Sequence, residues 1–335
     1  MIKMEELILR EETYAREREQ VVKPYLEERM TEKKLFREPG RRIHTVSYRT
    51  DAPKAVVVIS HGFTESVKKY EEPVYYFLKQ GFDVVIPEHC GHGCSYRLVK
   101  DLSLVHVDRF ERYVQDLLYV IRYARKDHPD LPLILFGHSM GGGIAAETAS
   151  RIPELVDILV LSSPMIRPLT GNIPWQAAYV MSNAACLMGK SKNYVMGQKP
   201  FADDERFETS SSLSRGRFAY YYDNVKRKDP RYQTSAASYG WLKEALGLSR
   251  MLLGHSWKTL TMPVLLTQAG KDAFVSSEAQ SKLIRKLIQN GNQRAKLLYF
   301  QEAKHECYNG YDKLVENYWN QVFAFLASEL NRLSE

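Results

Sequence analysis

The pentapeptide Gly137-His138-Ser139-Met140-Gly141 constrains this chain more than any other feature. An apolar run, Leu133–Phe136, precedes it, and a helical pattern, Ile144–Ile152, follows. A serine flanked by glycines between strand and helix marks a tight, strained turn that exposes the hydroxyl at a sheet edge. The start of the following helix adds a positive dipole end beneath that serine.

The rest of the chain supplies the sheet. Continuous apolar runs recur at Ala55–Ser60, Phe82–Ile86, Ile158–Leu161, Pro263–Thr267 and Leu297–Phe300. Such runs suit strands buried on both faces of a parallel sheet. Helical patterns lie between them, with Phe110, Tyr113, Val114, Leu117, Ile121 and Ala124 on one face of a helix. Val315, Tyr318, Trp319, Val322 and Leu326 mark a closing helix. Alternation of this kind predicts an α/β fold with a mostly parallel, doubly wound sheet.

Alternation stops between 165 and 262, where an insertion leaves from the carboxyl edge of the sheet. We expect a mainly helical cap over that edge. The core is then 43–164 and 263–335. Residues 1–42 hold 21 charged residues and read as a helical appendage broken near Pro24.

Charge is unevenly placed. The segment Met165–Lys258 carries 14 Lys/Arg against 7 Asp/Glu, an excess equal to the whole net charge of +7. A basic cap, including Lys226, Arg227, Lys228 and Arg231, suits an anionic headgroup or transient contact with a membrane surface. No nucleic-acid-binding motif accompanies the charge. The four cysteines do not suggest a disulfide framework, and no signal peptide or membrane-spanning run is visible. The expectation is a cytoplasmic protein that touches a membrane surface transiently through that cap; nothing in the sequence sets its oligomeric state.

A serine hydroxyl needs a general base. At a turn of this type the order along the chain is Ser, acid, His. His305, after the last strand run, fits as the base, and Asp272, after the run Pro263–Thr267, fits as the acid. Two backbone N–H groups, of Met140 and Phe63, are placed to hold an oxyanion. No cofactor or metal is required. The cluster Glu88-His89-Cys90-Gly91-His92-Gly93-Cys94 has metal-ligand residue types, but their crowding fits a rimming loop better than a zinc pattern.

Together, Ser60-His61-Gly62-Phe63-Thr64-Glu65, Gly91-His92-Gly93-Cys94-Ser95, Gly137–Gly142 and His305-Glu306 resemble the monoacylglycerol lipase and bacterial lysophospholipase group of serine hydrolases. Leu213–Phe218, Tyr221–Asn224 and Tyr239–Ala245 resemble the cap of the bacterial lysophospholipases. The resemblance implies the α/β-hydrolase fold and a lipid ester substrate. It implies Ser139 as nucleophile, Asp272 as acid, His305 as base, and Phe63 and Met140 as oxyanion donors. Phe63 stands where such lipases often carry a small residue, which narrows the expected acyl pocket. Trp175, Tyr179 and Val180 are the expected substrate contacts from the cap. Lysophospholipid hydrolysis is the leading reading. A monoacylglycerol lipase, a general carboxylesterase and a non-catalytic small-ligand binding protein are its rivals.

Overall fold

The computed structural model describes residues 2–334. Strands run Met30–Glu38 (β1), Arg41–Tyr48 (β2), Ala55–Ser60 (β3), Phe82–Pro87 (β4), Leu104–Val105 (β5), Leu133–His138 (β6), Ile158–Ser162 (β7), Ala236–Ala237 (β8), Val264–Ala269 (β9) and Ala295–Phe300 (β10). Eight of them form one sheet in the order β1-β2-β4-β3-β6-β7-β9-β10. From β4 to β10 neighbours pair parallel, while the β1–β2 and β2–β4 pairs are antiparallel. Every residue of β3, β4, β6, β7 and β9 is buried, which explains their unbroken apolar character. Strand order reverses between β3 and β6, so the loops after those two strands open a crevice at the carboxyl edge.

The N-terminal region departs from the expected helical appendage. Helical turns extend from Glu11 to Glu27, passing through Pro24 by way of a π-turn at Arg18–Val22. Beyond them β1 and β2 form an edge hairpin, turned at Gly40 (φ 74°). β1 carries charges on both faces because it is exposed on both, so it lacks an apolar signature. β2 crosses the expected boundary at 42 and joins the sheet through β4.

Residues 163–263 leave the sheet after β7 and return at β9. They carry the helices Trp175–Leu187, Arg215–Tyr221 and Tyr239–Gly254, and β8, which pairs with β5 of the core. Among the described residues, no helix is long and apolar enough to cross a membrane.

The N-terminal turns tie one side of this insertion to the core. Arg217, which is 2% exposed, donates to Glu72 (Nη2–Oε1 2.8 Å), to the Leu9 carbonyl (2.8 Å) and to the Gly310 carbonyl (3.2 Å). Glu11 accepts from the Gly216 amide at 2.8 Å and from the Ser214 hydroxyl. The helix Trp175–Leu187 instead packs on the helix Tyr239–Gly254 through small residues, Ala178, Ser182 and Ala185.

Candidate active site

Ser139 sits between β6 and the helix Ser139–Arg151, with a left-handed backbone (φ 52°) that a non-glycine residue adopts only at a cost. The turn is jammed against the loop after β3. A Cβ on Gly141 would lie 2.1 Å from the Ser60 carbonyl oxygen and 2.3 Å from that of His61. Only glycine permits this approach, which brings the Ser139 turn and the His61–Thr64 loop together.

The loops after β9 and β10 meet in the same way. Gly270 donates to the Phe300 carbonyl at 2.9 Å, and a Cβ there would lie 2.2 Å from the Gln301 carbonyl oxygen. Asp272 and His305 hang from these loops. His305 Nε2 lies 2.7 Å from Ser139 Oγ, and His305 Nδ1 lies 2.8 Å from Asp272 Oδ2. The other Asp272 oxygen accepts from the amides of Phe274 (2.8 Å) and Val275 (3.1 Å). Burial opposes the charge on Asp272, but His305 and the two amides outweigh it and hold the carboxyl below its ordinary range. The structure therefore brings all three residues into one hydrogen-bonded chain.

Met140 is the second residue of its helix, where an N–H has no acceptor within the helix. The Phe63 N–H likewise has no acceptor among the described residues. Phe63 is held by histidines on both sides. His61 Nε2 accepts from the His89 amide (2.9 Å), and His92 Nε2 accepts from the Thr64 amide (3.2 Å). Burial keeps His89 and His92 well below the ordinary histidine range. Glu88, in the same segment, accepts from the Cys94 amide (2.5 Å) and faces His44 Nδ1 (3.0 Å). The metal-like cluster is thus a hydrogen-bonded brace under the loop that carries Phe63.

Beneath the insertion lies a cavity of about 450 Å³ that reaches Ser139 and His305. Its apolar wall comes from Met165, Leu169, Ile173, Val195, Trp241 and Leu242. Phe63 also lines it, with its ring centroid 4.3 Å from that of Trp241. Trp175, Tyr179 and Val180 do not line it. Their helix turns Ala178 inward, so Trp175 and Tyr179 lie to the side under Arg167 and Arg250, and Val180 is 66% exposed. Ile173 and Ala178 are the contributions of that segment.

A buried charge network missing from the sequence reading borders the cavity. Lys69 bridges Glu65 (3.0 Å) and Glu306. Glu65 also accepts from the Gly62 amide and the Tyr70 hydroxyl, both at 2.6 Å. Burial works against the Glu65 charge, but Lys69, His138 and the Tyr70 bond hold its carboxyl far below the usual range. The spacing of Glu65 and Lys69, four apart, was the available signal; Glu306 is 237 residues from Lys69.

A family profile described as serine aminopeptidase, S33, matches residues 51–312. The chain belongs to that family. The chain is 29% identical over 245 residues to lysophospholipase L2 of Escherichia coli, covering 72% of this chain and 70% of that one. It is 26% identical over 257 residues to a monoacylglycerol lipase of Mycolicibacterium smegmatis, covering 77% and 83%. A thermostable carboxyl esterase from Bacillus coagulans superposes with a TM-score of 0.73 at 17% identity, over 90% of this chain and 99% of that one. A monoglyceride lipase from Saccharomyces cerevisiae superposes with a TM-score of 0.68 at 14% identity, over 89% and 94%. The fold is that of the α/β-hydrolases, and this member of the family is a serine hydrolase.

Proposed function

We propose that the chain hydrolyses the acyl ester of a single-chain lipid, with a lysophospholipid as the preferred substrate, through an acyl-enzyme on Ser139. The observation that carries this reading is the Ser139–His305–Asp272 chain at the end of an apolar cavity. The names of the bacterial relatives support the substrate class.

His305 removes the Ser139 proton as Oγ attacks the ester carbonyl. Asp272 fixes the imidazole tautomer and stabilises the imidazolium. The amides of Phe63 and Met140 receive the developing oxyanion. His305 then protonates the departing alcohol and activates the water that releases the fatty acid.

The cap supplies the acyl-binding wall, and its outer face offers a membrane contact. Leu187 is 90% exposed, and Val180 and Met181 about two turns earlier on the same helix and Met188 just after it are exposed as well. An aminopeptidase reading needs a free carboxylate for the substrate amine. Glu65 and Glu306 reach the cavity, but both are engaged by Lys69.

Matched turnover of lysophosphatidylcholine and monoacylglycerol with one acyl chain, beside a short aryl ester, tests the reading. The expected order places the lysophospholipid first, with all activity lost in Ser139→Ala. Preference for monoacylglycerol would favour the lipase reading instead, in line with the M. smegmatis relative. Activity surviving in Ser139→Ala would overturn the mechanism.

A further inference from the structure

A second chamber of about 400 Å³ adjoins the catalytic cavity and shares Thr64, Lys69, Ser211, Phe274 and Glu306 with it. It borders the catalytic cavity beside His305. The Phe274 ring centroid is 5.1 Å from that of His305, and Glu306 is the next residue in the chain. The first cavity has the apolar wall; this one is lined by charges from both core and cap.

Most of those charges are already neutralised. Lys69 is shared by two carboxylates, and Arg217 is engaged by Glu72. The surface cations beside the chamber are paired as well: Arg227 with Asp203 and Asp223, and Arg231 with Asp229. The chamber's other two cations have fewer carboxylates among the described residues, one for Lys226 and none for Arg206. Lys226 is 6% exposed, and its ammonium has one carboxylate partner, Glu205, which is itself part-exposed. Arg206 lines the chamber and forms no ion pair among the described residues.

Lys226 is turned inward at the end of a π-turn, Tyr222–Lys226, that continues the anchored helix Arg215–Tyr221. Such turns are rare and recur at functional sites. Burial pulls its ammonium below the ordinary lysine range despite Glu205, and Lys69 adds repulsion. A buried cation with three N–H donors and one acceptor gains most from a further anion.

We propose that Lys226, together with Arg206, is a specificity-determining pair that holds the phosphodiester of a lysophospholipid headgroup in this chamber while the acyl chain fills the apolar cavity. A phosphodiester shares one negative charge over two non-bridging oxygens, which two cations from different segments can hold. This inference rests on the single-chain lipid esterase reading and adds the recognition of phosphate to it.

The test compares kcat/KM for lysophosphatidylglycerol and for a monoacylglycerol of the same acyl chain. In Lys226→Gln the ratio of the two should fall about ten-fold, mainly through KM, as expected for one lost hydrogen bond to a charged group. Lys226→Arg should hold the ratio within about two-fold, because a cation remains. Glu205→Gln should raise it, since the competing carboxylate is gone. A ratio that stays at the wild-type value in Lys226→Gln, or equal losses on both substrates, would overturn the proposal. Inhibition of monoacylglycerol turnover by glycerol 3-phosphate and by inorganic phosphate separates the two sources of the anion. Lys226-dependent inhibition by inorganic phosphate with an unmoved lysolipid ratio would make this a free-anion site and reject the headgroup assignment. Ser139-dependent hydrolysis of both lipids with a Lys226-independent ratio defeats only this inference; absence of any such hydrolysis defeats the esterase reading beneath it.

Discussion

Gly141 and Ser60 are packed backbone to backbone: a Cβ on the glycine would fall 2.1 Å from the serine carbonyl oxygen. The contact joins the turn of Ser139 to the loop of Phe63, so the nucleophile and the two free amides are positioned by one steric fit.

Gly141→Ala should therefore push those loops apart. Overpacking against backbone belongs at the upper end of such costs, about 3 kcal/mol. Urea unfolding should show that loss. Turnover of a short aryl ester should fall further than stability does, because the oxyanion amides separate from Ser139.

Glu65 sets an acid limit on stability. Its carboxyl and that of Asp272 are depressed in the folded protein, so their contribution is complete above the ordinary carboxylate range and is lost as pH falls toward the folded values. Melting temperature should be flat above about pH 5 and decline below about pH 4.5, near the unfolded carboxylate pKa. Glu65→Gln should lower the neutral plateau by about 3 kcal/mol, toward the low end for breaking a buried pair, since Glu306 still faces Lys69. It should also flatten the acid slope. An unaltered slope would remove Glu65 from this role.

Much of the fold was readable because its central strands are buried on both faces. The β1–β2 hairpin was not, because an exposed edge strand such as Met30–Glu38 carries charge on both sides. Pro39-Gly40 was the one local turn signal there. Ser139, Asp272 and His305 could be read from their order after successive strands. The cavity wall could not. Met165, Val195 and Trp241 come from separate segments, and the pattern of the helix Trp175–Leu187 gives an apolar stripe without saying what it faces. Pairs such as Arg217–Glu72, 145 residues apart, exist only once the fold does.

The Arg217–Glu72 pair should act as the anchor of the cap. Arg217→Met leaves Glu72 buried with only Tyr14 and Tyr76 hydroxyls as donors. The expected cost is about 3–5 kcal/mol. Limited proteolysis should cut the cap faster in the variant. Arg217→Lys should not rescue it, because one ammonium cannot span Glu72, Leu9 and Gly310 as the guanidinium does. Identical proteolysis rates would mean that the cap is held elsewhere.

The exposed end of the helix Trp175–Leu187 should govern access to membrane-embedded substrate. Leu187→Asp with Met188→Asp places two charges where apolar side chains would enter an interface. Vesicle co-sedimentation should drop, and turnover of vesicle-borne lysophospholipid should fall several-fold relative to that of a soluble aryl ester. An unchanged ratio would exclude this face as the contact.

The most direct test of the account is intact-protein mass spectrometry during rapid mixing with a lysophospholipid. A covalent acyl adduct on Ser139 should accumulate and decay with turnover, be located to that residue by peptide mapping, and be absent from Ser139→Ala. Turnover without an adduct on Ser139, or an adduct on another residue, would contradict it.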